Sequence, residues 1–436
     1  MPRPGTDSRL VWACDDADSA HLSCSLNLNP FIPTRKTVKS PVAIAFSGGL
    51  DTSWLVAKFA ADGHPVTAIS VNTGAWGTDG LQSLGDHARG LGAVAHEVVD
   101  ARETLYDEHI SWLIRGNVLR GGVYPLCVGV ERVVQARCFA EAAKARGLTM
   151  LVHGSTGAGN DQVRFDVALR AVAPESTVVA PIRDEDISRE FSSAWLAERG
   201  LSALQADAAI SINTGLWGTT AGGGDTHDAW AAPGEQCYGT TAAPDSAPDE
   251  GVDVVIGFQQ GLPVSVDGEA LSGWEAAAQL AELGAAHGIG RGIHLGDTIL
   301  GIKGRIAFEA PAAAILVSAH RELEKLTLTG SQRFWKDHLG ELYGQLVHEA
   351  RYHEPLARDI EAFLESSQQR VCGDARVHLR QGRVQVTGVR SPFSLMDVQQ
   401  SAYGEHTSLW TGADARGFAK IHGTAQMLAA KASSCG

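Results

Sequence analysis

Apolar positions in the chain fall into short runs separated by amphipathic stretches, and the pattern begins at residue 41. Residues 42–46 form an unbroken apolar run that stops at Ser47-Gly48-Gly49, as a buried strand does on entering a tight turn. After Asp51, the residues Leu55, Val56 and Phe59 recur on one helical face, and Gly63 closes that segment. A β-rich run follows at 66–71. Leu81, Leu84, Ala88 and Leu91 predict a second amphipathic helix, and 94–99 a further strand. The pattern then predicts a helix at about 133–143 and strands at 150–152 and 177–180. Strands alternating with helices predict an α/β fold built on a doubly wound parallel sheet covered on both faces. Such sheets bind ligands at the carboxyl ends of their strands, and the Ser47 turn lies at one of those ends.

The rhythm changes after residue 205. Gly222-Gly223-Gly224 and residues 231–249, rich in Pro, Thr, Ala and Gly, read as long loops. A hairpin is predicted at 252–266, helices at 274–287 and 312–326, and a charged, mostly helical segment at 334–365. Residues 377–389 alternate as an antiparallel hairpin does. The expected organisation is a nucleotide-binding domain over 41–205, an α+β domain over 206–396 and a tail over 397–436. Residues 1–40 have no sustained periodicity and mix Pro2, Pro4, Pro30 and Pro33 with Asp7, Asp15, Asp16 and Asp18. They read as a flexible extension, and the acidic residues argue against an organelle transit peptide.

Composition narrows the function classes. The 436 residues are 44% hydrophobic and 20% charged, the balance of a soluble two-domain protein. A net charge of −14 lacks the basic footprint of a nucleic-acid binder. No apolar run reaches the roughly 18 residues that span a bilayer. Seven cysteines without a C-x-x-C pair, and no secretory signal, predict reduced thiols in a cytoplasmic protein. Sixteen histidines without H-E-x-x-H give no protein-ligated metal site. No G-x-S-x-G elbow is present.

Two segments carry chemistry. In Ser47-Gly48-Gly49-Leu50-Asp51-Thr52-Ser53, two glycines let successive backbone amides face an anion, and the following helix adds its positive N-terminus. Ser47, Thr52 and Ser53 offer hydroxyls to phosphate oxygens, and Asp51 can face Mg²⁺ carried by a pyrophosphate. The segment is not a Walker loop, because G-x-x-x-x-G-K-[ST] is absent. It resembles the pyrophosphate-cradling loop of ATP pyrophosphatases. The second segment, residues 153–165, packs Thr156, Asn160, Asp161 and Arg164 among three glycines, a set able to fix a carboxylate, an amide or a ureido group.

With its second segment reading H-G-S-T-G-A-G-N-D-Q-V-R-F, the chain resembles the argininosuccinate synthase family. The likeness continues through Ala180-Pro181-Ile182-Arg183, Ser211-Ile212-Asn213, His287-Gly288-Ile289-Gly290-Arg291 and Glu309-Ala310-Pro311, and reaches Gly417-Phe418 in the tail. It implies an AMP-forming ligase in which a citrulline ureido oxygen attacks the α-phosphate of ATP and the amine of L-aspartate then displaces AMP. It also implies Mg²⁺ with the ATP and a homotetramer, and leaves open a downstream fumarate-releasing lyase. Ala45, Phe46, Ser47, Gly48, Gly49, Leu50, Asp51, Thr52 and Ser53, the backbone at Val71, and Gly154 match ATP positions. Thr156, Asn160 and Asp161 match aspartate positions, and Asp51, Asn160 and Asp161 are the residues expected to carry the chemistry.

The acceptor end departs from the family. Tyr124, Ser211, Asn160 and Arg164 match citrulline contacts. Gly129 and Thr220 stand where the family has serines, Gly296 where it has a glutamate, and Phe308 where it has a tyrosine. Asn72, Ala75 and Gly222 are further departures. Losses concentrated on one ligand suggest a non-citrulline or modified-citrulline acceptor, a ureido or amide group without a free α-ammonium. Ordinary arginine biosynthesis with a remodelled pocket is the alternative, and a catalytically dead nucleotide binder is a third reading. Cys127 and Cys237 leave a remote fourth, the paired thiols of tRNA-thiolating ATP pyrophosphatases, against which the acidic charge counts.

Overall fold

A computed structural model describes residues 39–204, 210–397, 399–404 and 406–434. The extension expected over residues 1–40 therefore lies, up to residue 38, outside the described residues, as does the boundary expected at 205–206. The first half alternates β1 (Val42–Ala45), α1 (Leu50–Ala61), β2 (Val66–Asn72), α2 (Thr78–Gly90) and β3 (Ala95–Asp100). Next, α3 (Arg102–Leu105) runs through a π turn at Tyr106–Ile110 into α4 (Ser111–Arg115). Then come α5 (Glu131–Ala145), β4 (Met150–Val152), α6 (Asp161–Val172), β5 (Thr177–Val179), α7 (Pro181–Asp184) and α8 (Arg189–Ala197).

These five strands form one parallel sheet in the order β3-β2-β1-β4-β5. Every residue of β2 is buried, which fits a parallel strand covered on both faces. The alternation along β1 divides the core: Val42 and Ile44 pack with Leu55, Leu84 and Leu196, while Ala43 packs with Val133, Val134 and Phe139 of α5. The strand order reverses between β1 and β4, so the loops after these two strands flank the crevice where doubly wound sheets hold ligands.

The second half holds two antiparallel sheets. The chain continues with β6 (Ile210–Gly215), β7 (Gly218–Gly223), β8 (Val252–Gln259), β9 (Leu262–Val266), β10 (Glu269–Ala270), α9 (Gly273–Ala286), β11 (Arg291–Asp297) and β12 (Lys303–Glu309). Then follow α10 (Pro311–Thr327), α11 (Gly330–His348), α12 (Pro355–Gln368), β13 (Gly373–Arg380) and β14 (Arg383–Arg390). The hairpins predicted at 252–266 and 377–389 pair within a sheet ordered β10-β9-β8-β13-β14. A buried ion pair, Lys336 Nζ to Glu324 Oε2 at 2.9 Å, ties α11 to α10, and the same ammonium donates to the Arg115 carbonyl at 3.2 Å. The tail carries two short strands, β15 (Ser401–Ala402) and β16 (His406–Thr407), and helices α13 (Gly412–His422) and α14 (Thr424–Ser433), neither of which buries a residue.

The structure corrects three sequence expectations. The helical segment at 334–365 is two helices, because Ala350 takes positive φ (61°) and Pro355 starts α12 afresh. Gly222 to Gly224 is not simply loop: β7 includes Gly222 and Gly223. Finally, a four-stranded sheet in the order β11-β12-β7-β6 forms from segments not expected to be strands. Its strands are interrupted by glycines, and the short alternations they hold, Ile210 with Ile212 and Ile293 with Leu295, are too brief to mark a strand.

Candidate active site

Gly48 takes a positive φ of 76°, and a Cβ there would sit 2.7 Å from Leu84 Cδ1. Glycine therefore lets the loop after β1 turn tightly against α2. Gly49 precedes α1 in an extended conformation and supplies no side-chain cap, leaving the first-turn amides of α1 facing the crevice. The hydroxyls are held in place: Thr52 Oγ1 donates to the Gly49 carbonyl at 3.2 Å and lies 3.2 Å from Ser47 Oγ. Ser53, which is buried, donates to the Gly48 carbonyl at 3.3 Å and meets His87 Nε2 at 3.1 Å. Ser53 thus braces the loop, whereas Ser47 is exposed to a ligand. Val71 is buried near the carboxyl end of β2.

Gly154, just past β4, abuts this loop. A Cβ there would lie 3.2 Å from Thr52 Cγ2 and 3.3 Å from Asp51 Cβ. The two motifs read from the sequence are therefore neighbours in space. Beyond Gly154, Thr156 is exposed, and His153 Nε2 pairs with Asp166 at 2.9 Å. The bonds from His153 and Arg183, against an opposing effect of burial, hold the Asp166 carboxyl down at about 2. Asp166 anchors α6, whose first residue is Asp161.

Asp161 lies between two guanidiniums. Arg132 Nε donates to Oδ2 at 2.9 Å and Arg164 Nη1 to Oδ1 at 3.0 Å. Burial would raise this carboxyl, but the two arginines outweigh it and hold it below the usual range. Asn160 Oδ1 accepts from the Ile299 amide at 2.8 Å, which docks the loop after β11 onto α6. Arg164 is itself fixed by His348, through its carbonyl at 3.2 Å and Nδ1 at 3.1 Å. Burial, then Arg164 and Arg120, push the His348 imidazole down to about 3. Its ring is neutral and turns a lone pair to the guanidiniums, while Nε2–H donates to the Asp297 carbonyl at 3.2 Å.

The four-stranded sheet supplies the rest. Arg132 Nη2 donates to Asn213 Oδ1 at 2.9 Å; Asn213 pairs with Thr220 across β6 and β7, and Thr220 with Phe308 of β12. Tyr124, buried, packs against Phe308 (centroids 5.3 Å) and stacks on His294 (5.2 Å). Gly129 faces Arg164: a Cβ there would lie 3.5 Å from Nη2. Contacts thus link Tyr124, Gly129, Asn160, Asp161, Arg164, Thr220, Gly296 and Phe308 into one cluster. Ser211 shares a face of β6 with Asn213 but is exposed, and no contact ties it to that cluster. Asp297 does not stand in for a carboxylate at 296. It points the other way along β11 and pairs with Lys303 at 2.5 Å. Asp225, beyond β7, accepts from Gln236 Nε2 at 3.2 Å.

Sequence reasoning missed Arg132, Asn213, His294 and His348. Asn213 left a signal in the segment Ser211-Ile212-Asn213, and Arg132 left one as a polar residue inside the apolar helical run at 131–145. Cys127 and Cys237 lie in separate apolar clusters, and burial pushes both thiols up, so they are not a thiol pair. Among the described residues, no His, Cys, Asp and Glu group can hold a metal unaided, and no helix is long and apolar enough to cross a membrane.

Comparison with known proteins agrees with this layout. Residues 41–202 match the argininosuccinate synthase N-terminal HUP domain, and residues 210–429 the C-terminal domain of the same enzyme. The chain belongs to the argininosuccinate synthase family. A relative named argininosuccinate synthase from Xanthomonas campestris is 37% identical over 394 residues, covering 89% of this chain and 98% of that protein. One from Chlorobaculum tepidum is 38% identical over 392 residues, covering 88% and 96%. Another from Xylella fastidiosa is 37% identical over 391 residues, covering 89% and 96%. Members of the family are AMP-forming carbon–nitrogen ligases that use ATP.

Proposed function

We propose that the chain condenses L-aspartate with a ureido acceptor at the expense of ATP, and that the acceptor is citrulline, making argininosuccinate the product. One observation carries the reading: the loop of residues 47–53 abuts Gly154, and the chain that follows delivers Asp161 between Arg132 and Arg164. A triphosphate on the first loop would therefore lie beside a charged cluster suited to an amino acid.

In the first step the ureido oxygen attacks the α-phosphorus; an O–P bond forms as the bond to pyrophosphate breaks. In the second the deprotonated aspartate amine attacks the activated carbon, and AMP leaves with the oxygen. Ala45 to Ser53, Val71 and Gly154 hold ATP, with Asp51 facing Mg²⁺ on the phosphates. Thr156, Asn160 and Asp161 hold aspartate. Tyr124, Gly129, Asn160, Arg164, Thr220, Gly296 and Phe308 line the acceptor pocket. The chain's part is positioning and charge neutralisation rather than acid–base relay. Residues 41–205 act as the ATP domain and 206–396 as the synthetase domain. The tail, with Phe418, Ile421, Met427 and Leu428 exposed, suits assembly into a homotetramer. An N-substituted product of this kind suits a lyase that releases fumarate.

The name shared by the relatives favours citrulline over the modified acceptor expected from the sequence. A modified acceptor remains as a second reading because of one observation: the space at Gly296 is filled by a histidine ring, not by a carboxylate. Steady-state kinetics with ATP, aspartate and citrulline, following argininosuccinate by mass, separates the two. Efficiency of about 10⁴ M⁻¹s⁻¹ or more supports citrulline. Aspartate-independent ATP binding without AMP formation would return the chain to a dead nucleotide binder. Asp51→Ala is expected to lower kcat by about a hundredfold with the fold intact, the scale of losing one transition-state contact. Unchanged pyrophosphate release in that variant would remove Asp51 from the site.

A further inference from the structure

Arg120 lies one step beyond the cluster around Asp161. Arg164 bonds Asp161 through Nη1 at 3.0 Å and His348 Nδ1 through Nη2 at 3.1 Å. Arg120 Nη1 lies 3.5 Å from the same His348 Nδ1, and its Nη2 donates to the Asp297 carbonyl at 2.8 Å. Moving away from the ATP loop, contacts thus run from Asp161 to Arg164, to His348 and to Arg120. Residues of the acceptor end surround this last guanidinium. The Arg120 amide donates to the Tyr124 carbonyl at 2.7 Å, and Asp297 follows Gly296 on β11. A Cβ at Gly121, next to Arg120, would lie 3.3 Å from His294 Cε1.

The charge on Arg120 is unmatched. Among the described residues it forms no ion pair: the Asp297 carboxylate is turned to Lys303, and Glu349 pairs with Arg351 at 3.3 Å. Its side-chain neighbours in hydrogen-bond range are a carbonyl oxygen and a neutral imidazole. Arg164 repeats the positive sign, and its own charge faces Asp161. A guanidinium cannot shed its proton, and its five N–H donors form a fixed fork. Partly buried as it is, Arg120 therefore keeps donors and a positive charge for an anionic group. A carboxylate matches that fork in charge and in shape.

We propose that Arg120 is a specificity residue for the acceptor, its guanidinium taking the α-carboxylate while the ureido group lies towards Asp161 and the ATP loop. The inference rests on the ligase reading above, with citrulline as acceptor. The sign of the charge gives the direction. Citrulline carries one anionic group, at the end opposite its ureido group, and the cation without a carboxylate partner stands at the end of the site remote from the ATP loop.

The test compares citrulline with citrullinamide, which keeps the ureido group and the α-ammonium but carries an uncharged carboxamide. AMP is followed at saturating ATP and aspartate. The wild-type chain is expected to prefer citrulline by about tenfold to a hundredfold in kcat/KM, the scale of one hydrogen bond between charged groups. Arg120→Gln should raise the KM for citrulline by about that factor and leave citrullinamide within about threefold, so that the preference disappears. The KM values for ATP and aspartate should stay within about twofold. Arg120→Lys, which keeps the charge without the fork, should recover part of the preference and guards against a folding defect. Equal use of the two acceptors by the wild-type chain overturns the assignment, as does a preference that Arg120→Gln leaves intact. An equal loss on both acceptors would make Arg120 a mere support for the Asp297 carbonyl, and a rise confined to the KM for aspartate would place it at the donor; either overturns the assignment. No aspartate-dependent AMP with either acceptor overturns the ligase reading, and this assignment with it.

Discussion

Asp161→Ala is expected to lower kcat/KM for aspartate by about a hundredfold to a few thousandfold, while the KM for ATP stays within a few-fold. The carboxylate is shared by Arg132 Nε at 2.9 Å and Arg164 Nη1 at 3.0 Å, and both guanidiniums are largely buried. Its loss frees both guanidiniums from the geometry that would receive the substrate; hydrogen bonds to charged groups contribute about 1.5–3 kcal/mol each, so two misplaced contacts cost roughly 3–5 kcal/mol. At about 1.4 kcal/mol per tenfold, that is two to three and a half orders of magnitude. The ATP loop is braced separately, through Ser53, Thr52 and Leu84, so nucleotide binding need not follow the loss. Asp161→Asn keeps one acceptor oxygen for a guanidinium and should fall between wild type and alanine. Aspartate saturation and ATP binding, measured on all three, decide it. An aspartate KM unchanged in the alanine variant would place donor recognition elsewhere.

The nucleotide half was legible in the sequence because its physics is local. β1 is a continuous apolar run and β2 a run rich in β-branched residues, so both announced themselves, and the tight turn after β1 needs the glycines that mark it. Residues 153–165 were equally legible, because polar side chains cluster there within a few positions. The four-stranded sheet was not. It is built from β6, β7, β11 and β12, whose glycines break up what little apolar alternation they have. Gly296 read as a lost carboxylate, a reading that says nothing of what fills the space. Only the fold shows that His294, two residues earlier on the same face, occupies the volume. His348 was invisible for a different reason. It lies 184 positions from Arg164, and nothing local to it indicates the contact.

Glu131→Gln is expected to stabilise the chain at pH 8 and above by on the order of 4 kcal/mol and to flatten its dependence on pH. Glu131 opens α5, is fully buried, and leaves Oε1 without a partner, while Oε2 accepts from Thr73 Oγ1 at 3.1 Å. Burial is the main cause that pushes this carboxyl up to about 8; Arg132 and Thr73 pull the other way, and Asp161 adds to the rise. Between its ordinary 4.5 and about 8, the folded chain holds a proton that the unfolded chain has released. Stability therefore falls as pH rises through that window, and the loss is complete above it. Glutamine removes the titration. Its amide N–H at the crowded Oε1 position carries a penalty of its own, but one that shifts the curve without changing its slope. Urea unfolding from pH 5.5 to 8.5 on both proteins is the measurement, and parallel slopes would mean that Glu131 is ionised in the fold. The proton also matters to the site. Thr73 links Glu131 to Gln135 at 3.0 Å, and Gln135 accepts from Arg132 Nη1 at 2.8 Å. A neutral Glu131 leaves the Arg132 guanidinium to Asp161 and Asn213, whereas an ionised one would compete for it. Aspartate affinity should accordingly weaken in the wild-type chain as pH rises past about 8, and Glu131→Gln should abolish that weakening.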